Sequence, residues 1–172
     1  GRFRESHRGE IALTLPAVPH LAEQIEALTA SWPVVPTIVR GEEAKFAAFR
    51  KAHAALAASG TVTLELALAG APMVVAYRVA RLETLLRSLV TVDTIVLANL
   101  VLGDKPIPEF VQEDCTPEKL ADALGRIAVE GPARAAQVEA FARLDAVMSI
   151  GEETPSERSA RIVMETARAR GA

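Results

Sequence analysis

The stretch SGTVTLELALAGAPMVVAY, residues 59–77, reads as four consecutive pieces. A glycine-containing turn leads into a short apolar helix, the helix breaks at Gly70-Ala71-Pro72, and an apolar strand follows over 72–77. The run 54–58 just before it, AALAA, is a brief apolar segment that reads as another strand. Strand, turn, helix and strand in this order predict a parallel pair with a helical crossover. The helix has two unusual features. Glu65 stands among Val62, Leu64, Leu66 and Leu68, and the start Ser59-Gly60-Thr61 lacks the Glu or Gln three residues on that would complete a capping box.

Upstream, residues 13–18 form a short apolar run broken by Pro16 and ended by Pro19. HLAEQIEALTA places Leu21, Ile25 and Leu28 at helical spacing, and His20 stands where it would cap that helix. VVPTIV, residues 34–39, predicts a strand despite Pro36. Residues 41–52 are again helical, with Phe46, Phe49 and Ala52 on one side. Downstream, a helix is predicted over about 81–89 and a strand over 94–98. His53, at the entry to a strand, reads as structural. Short buried strands alternating with helices of about ten residues imply an α/β fold, a Rossmann-like parallel sheet flanked by helices. From Pro117 the pattern becomes helical only, over 117–129, 132–150 and 155–170. Thr116 before Pro117, with Glu118 and Lys119 beyond, is a good helix start. Residues 156–168 are amphipathic, with Ile162 and Val163 backed by charges, and such a tail either packs on the domain or reaches a partner chain.

Composition narrows the class. The 172 residues are 50% apolar but only 4% aromatic, so Leu, Val, Ile and Ala must fill the core. A formal net charge of -3 argues against nonspecific nucleic-acid binding as the main activity. The one cysteine, Cys115, excludes an internal disulfide and fits a reducing compartment. No apolar run approaches the roughly 20 residues that cross a bilayer. The opening, GRFRESHRGEI, is too polar for a signal peptide and has no initiating Met, so the chain reads as the trailing part of something longer.

In a parallel α/β sheet, ligands gather where strands end and helices begin, and Ser59 stands at such a junction. Either Ser59 or Thr61 caps an ordinary helix, or Gly60 lets a ligand approach while first-turn N–H groups meet an anion. A carboxylate on an apolar helix needs a partner. Either Glu65 meets an arginine such as Arg78, or it meets vicinal hydroxyls one turn below the anion, as a sugar nucleotide would present them. Thr61 lies four residues before Glu65, on the same face.

SGTVTLELALAGAPMVVAYRV (59–79), followed by VLANLVLGDKPIPEFVQEDCTPEKLADAL (96–124), closely resembles the C-terminal half of the bacterial lipid-A-disaccharide synthase family, glycosyltransferases of the two-domain GT-B architecture. The resemblance runs over about 18–163. It implies a transfer of 2,3-diacylglucosamine from UDP-2,3-diacylglucosamine to 2,3-diacylglucosamine 1-phosphate, with release of UDP and a β-1,6 linkage. It assigns Ser59, Gly60 and Thr61 to the diphosphate and Glu65 to the ribose. Asn99 of LANLVLG matches an asparagine tied to activity, here taken as catalytic and nucleotide-sugar-binding. Glu109 and Gln112 fall in PEFVQE, with Gln112 otherwise bracing a helix after Pro108, and Tyr77 and Arg78 line the nucleotide side. The implied domains are 1–12, a degenerate remnant of the domain start; 13–130, the nucleotide-sugar-binding domain; and 131–172, the helical tail.

Two departures stand out. The family's Gly-Ser-Arg turn has Glu5 at its Gly and His7 at its Arg, and Arg8 is not assigned the lost role. The helix expected after Glu10-Ile11 is absent, and the acceptor-binding N-terminal domain is not in this sequence. The resemblance implies inversion by direct displacement, with the base in the other domain, no metal and no cofactor. It also implies a homodimer exchanging C-terminal helices, and a cytoplasmic or peripheral place on the inner face of the inner membrane. The chain alone would bind nucleotide without turnover. The alternative is a non-catalytic remnant or a standalone α/β module acting in association. Other GT-B enzymes, such as a UDP-GlcNAc epimerase or a peptidoglycan transferase, share the turn and the acid but not APMVVAY.

Overall fold

The structure, a computed structural model, describes residues 1–7, 9–78, 93–148 and 154–170. In chain order, the first half carries α1 (Arg2–Ser6), β1 (Thr14–Ala17), α2 (Ala22–Thr29), β2 (Thr37–Arg40), α3 (Glu42–Lys51), β3 (Ala55–Ala57), α4 (Val62–Leu68) and β4 (Met73–Tyr77). The second half carries α5 (Leu97–Leu102), β5 (Glu109–Val111), α6 (Pro117–Ile127), α7 (Pro132–Phe141), α8 (Leu144–Met148) and α9 (Pro155–Arg170). Every strand pairing is parallel. β1 pairs with β2, Thr14 opposite Thr37, and β4 lies between β3 and β5, with Val75 level with both Ala57 and Glu109. The expected α/β class with helix-flanked parallel sheets is therefore present.

β4 shows why its sequence is an unbroken apolar run. Met73 and Val75 enter a core with Leu66, Ala67, Val96, Ile107, Phe141 and Leu144, whereas Val74 faces Ala123 and Ile127 of α6 on the other side. Alternate residues of one strand thus feed two cores, and none needs to be polar. The break before β4 is a Schellman ending of α4. Gly70, at φ +73°, donates its N–H to Ala67, and Ala71 donates to Leu66, 3.0 Å away. Pro72 then forbids more helix.

At the start of α6 the Thr116 hydroxyl accepts the Lys119 N–H at 3.3 Å, with Pro117 at the first helical position, as expected. α7 is fastened by a side chain. Gln137, 1% exposed, accepts the Met73 N–H at 2.8 Å and donates to the Met73 carbonyl at 3.0 Å. These groups lie on the β5 side of β4, one step before β5 begins, so the Gln137 amide supplies the missing ladder rung. Phe141 and Leu144 also enter the core, and α7 and α8 pack back on the domain. α9 is exposed throughout its described side chains.

Several expectations are corrected. Residues 94–98 do not form a strand: α5 begins at Leu97, because the Ile95 and Val96 N–H groups bond side chains of Glu109 and Thr94 in place of a neighbouring strand. No helix follows Pro108; β5 does, and then a single 3-10 turn over Gln112–Asp114. The helix expected over 132–150 breaks after Phe141 and resumes at Leu144, which turns into the core. His20 caps nothing, since it lies inside a 3-10 turn and α2 has no side-chain cap. Leu21, just before α2, and Leu28 within it are exposed, and Ala22 and Thr29 are the buried residues of α2. The helix expected over 81–89, and Arg8, lie outside the described residues.

Candidate functional site

The residues singled out from the sequence gather mainly at one edge of the three-stranded sheet. β3 runs into the 59–61 turn, β4 ends at Tyr77 and β5 ends before Gln112. In parallel sheets this carboxyl edge is where ligands bind. Gly60 has φ +139°, a conformation that disfavours any side chain. α4 then starts without a side-chain cap. The Ser59 hydroxyl, the natural candidate, instead donates to the Ile95 carbonyl at 2.7 Å, and the Thr63 hydroxyl turns back to the Gly60 carbonyl at 2.9 Å. The N–H groups of Thr63, Leu64 and Glu65 are satisfied by the carbonyls of Gly60 and Thr61. Among the described residues, none accepts from the N–H of Gly60, Thr61 or Val62.

Glu65 is half-buried, its side chain 31% exposed, not enclosed as its apolar neighbours implied. Its partner is Lys45 of α3 and not Arg78. The Lys45 Nζ lies 3.1 Å from one carboxylate oxygen and 3.3 Å from the other. Lys45 also meets Glu42 at 2.9 Å, and its Nζ lies 4.5 Å from the Phe46 ring centroid. Hydrogen bonding to Glu42, opposed by partial burial and aided by Glu65, holds the Lys45 ammonium above its ordinary pKa, so it stays charged. Tyr77 and Arg78 are exposed at the end of β4.

Asn99 and Glu109 form an enclosed network behind this edge. Asn99 is 1% exposed. Its amide oxygen accepts the Ile107 N–H at 3.2 Å, and its Nδ2 donates to the Ile107 carbonyl and to Glu109, each at 3.0 Å. Glu109 also accepts the Thr94 hydroxyl and, at 2.9 Å, the Ile95 N–H. Because Ser59 bonds the Ile95 carbonyl, one chain of contacts runs from the 59–61 turn through residue 95 to Glu109 and Asn99. Asn99 therefore faces the interior of the fold and not an open cleft. Gln112 is buried with φ +53°, the one non-glycine residue at positive φ among those described. Such a backbone persists only where its surroundings enforce it, often beside functional sites.

His53 contributes through its backbone carbonyl, which accepts from Arg134 at 2.5 Å. Two participants escaped the sequence reading. Lys45 sits in what reads as an ordinary surface helix, and the one clue is a cation beside Phe46 on its apolar side. Thr94 stands in a stretch with the residues of a strand, and nothing local signals its bond to a glutamate fifteen residues on. The arrangement offers N–H donors unpaired among the described residues, a carboxylate steadied by an ammonium, and a buried brace that fixes the turn between them.

Residues 5–161 match the family described as Lipid-A-disaccharide synthetase. Curated relatives named Lipid-A-disaccharide synthase include those of Bradyrhizobium diazoefficiens, 56% identical over 98% of this chain and 43% of the relative. Those of Rhodopseudomonas palustris CGA009, at 52% over 96% and 42%, and Rhodospirillum centenum, at 38% over 90% and 39%, are also similar. The chain thus spans about four-tenths of the length of the relatives it matches. The matched range takes in the turn, the α4 acid and the β5 segment, and the chain belongs to the lipid-A-disaccharide synthetase family.

Proposed function

We propose that this chain is the UDP-sugar-binding part of a lipid-A-disaccharide synthase. The reaction is the transfer of 2,3-diacylglucosamine from its UDP conjugate to 2,3-diacylglucosamine 1-phosphate, with release of UDP. The observation that carries the reading is the open start of α4. Three backbone N–H groups stand unaccepted among the described residues at Gly60–Val62, one turn above a carboxylate, at the carboxyl edge of a parallel sheet. The diphosphate meets those N–H groups and Glu65 accepts from the ribose hydroxyls. Negative charge grows on the leaving UDP as the glycosidic bond breaks, so fixed N–H dipoles favour the transition state over the bound donor. Asn99 enters as a positioning residue, holding Glu109 and through it the loop that Ser59 grips. Tyr77, Arg78 and Gln112 border the nucleotide.

In this reading the acceptor and the base that deprotonates its 6-hydroxyl belong to the remainder of the relatives' length, and this chain alone binds without turnover. The exposed Ile162, Val163 and Met164 of α9 support association with a second copy. Among the described residues no helix is long and apolar enough to cross a membrane. The proposed location is cytoplasmic or peripheral on the inner face of the inner membrane, where a diacylated substrate is met. The test is titration of UDP into the purified chain. Saturable binding is expected, and Glu65→Ala abolishes it while circular dichroism stays unchanged. No saturable signal at millimolar UDP, with the fold intact, would overturn the reading.

A further inference from the structure

We infer that Lys45 is a specificity-determining positioning residue: it holds the Glu65 carboxylate aimed, so that the site discriminates ribose from deoxyribose. The inference rests on the assignment of Glu65 to the ribose. Lys45 is itself held on three sides, by Glu42 at 2.9 Å, by both oxygens of Glu65 at 3.1 and 3.3 Å, and by the Phe46 ring 4.5 Å away. Its side chain is 19% exposed, and Glu65, on a different helix twenty residues on, keeps 31%. A carboxylate has about four acceptor positions, and one ammonium leaves the outward ones open for a pair of hydroxyls.

The direction of the carboxylate matters once a ligand covers the site. The Lys45 Nζ contacts both oxygens, at 3.1 and 3.3 Å, and fixes the carboxylate plane, which would otherwise rotate freely about the last side-chain bond. Lys45 is thus to Glu65 what an outer partner is to a metal-bound ligand, orienting a group that itself makes the contact.

The experiment compares UDP with 2′-deoxy-UDP by calorimetric titration on the full chain. A hydrogen bond to a charged acceptor corresponds to about tenfold or more in affinity, so the wild type is expected to prefer UDP by that factor. Lys45→Met and Glu65→Gln should each bring the ratio close to one, and the double variant should lower it no further. Lys45→Arg should restore most of the preference. Lys45→Gln repeats the measurement if the Met variant melts early. An unchanged UDP to 2′-deoxy-UDP ratio in Lys45→Met and Lys45→Gln, with the ratio lost in Glu65→Gln, overturns the inference and leaves the ribose assignment standing. Equal weakening of both ligands overturns it as well, since the cation would then serve the phosphates or the fold. A wild type that does not prefer UDP, or Glu65→Gln that keeps the preference, removes the underlying assignment.

Discussion

Gln137→Leu is the perturbation that most directly tests how α7 is joined to the sheet. The Gln137 amide closes both hydrogen-bonding groups of Met73, at 2.8 and 3.0 Å, in a place that water does not reach. Leucine has nearly the same volume, so the change leaves little cavity and isolates the polar loss. Two buried backbone groups without partners cost about 1–3 kcal/mol each. Burying an aliphatic side chain in place of the amide returns about 1–2 kcal/mol. Taken at the middle of these ranges, the expected net loss is about 2–3 kcal/mol. With a urea dependence of about 1–3 kcal/mol per molar, the unfolding midpoint should fall by roughly 1–2 M. The assay is urea unfolding followed by far-ultraviolet circular dichroism.

Gln137→Glu sharpens the same test. A protonated glutamic acid can accept from the Met73 N–H and donate to its carbonyl as glutamine does, whereas the ionised form cannot donate. Burial raises the folded pKa of this acid above its unfolded value. Relative to wild type, the variant should be most stable below the unfolded pKa and lose stability as pH rises through the folded one. A Leu variant within about 0.5 kcal/mol of wild type, or a Glu variant with no pH dependence relative to wild type, would refute the side-chain rung.

Three further outcomes are expected. Asn99→Ala strands the N–H and carbonyl of Ile107 and frees Glu109, so thermal or urea unfolding should register a loss of about 3–4 kcal/mol; a loss below about 1 kcal/mol would contradict the brace. Thr116→Ala removes the α6 cap and should cost about 1 kcal/mol in the same assay, with no effect implying that the 3.3 Å contact contributes nothing. At the start of α9, Thr154 and Glu157 form a reciprocal capping box, and bonds from the Thr154 N–H and then its hydroxyl hold the Glu157 carboxyl below its ordinary pKa. The cap's contribution is present above the unfolded carboxylate value and fades as pH falls through the depressed one, so amide shifts of 154–158 should titrate in that range and cease to do so in Glu157→Gln.

What was legible in the sequence follows from how local each cause is. β4 was readable because both its faces are covered, which makes its apolar run continuous, and α4 ended where Gly70 and Pro72 said it would. α6 announced itself by Thr-Pro, and α9 spans the expected residues because proline at its first position opens it and charges line it throughout. The failures are long-range. Thr94, Ile95 and Val96 are strand-forming by propensity, but a glutamate side chain from β5 occupies the bonds a neighbouring strand would have made. β5 itself, three residues long between a proline-rich loop and a 3-10 turn, lacks the length that periodicity needs. The break between α7 and α8 carries no glycine or proline, and only the core position of Leu144 explains it. In the candidate site, Ser59, Gly60 and Glu65 were findable from the turn and the misplaced charge, whereas Lys45 was not. A pair between two helices twenty residues apart leaves no local pattern.

The start of α4 shows how these local and distant causes combine. A serine one residue before glycine, at a helix entrance, has the chemistry of a cap, and a capping hydrogen bond contributes about 1 kcal/mol. Here that hydroxyl is committed to the Ile95 carbonyl, and Thr63, which also has a hydroxyl, turns it onto the Gly60 carbonyl. Both commitments tighten the turn, and neither satisfies the N–H groups at its tip. The fold thus forgoes a cap where one was available, while it holds the uncapped backbone rigid through Ile95, Glu109 and Asn99. An open, rigid set of donors is costly for an isolated domain and useful for one that meets an anion, because no protein bond must break when the ligand arrives. The same logic applies one turn on, where Lys45 contacts both oxygens of Glu65 while that side chain stays 31% exposed.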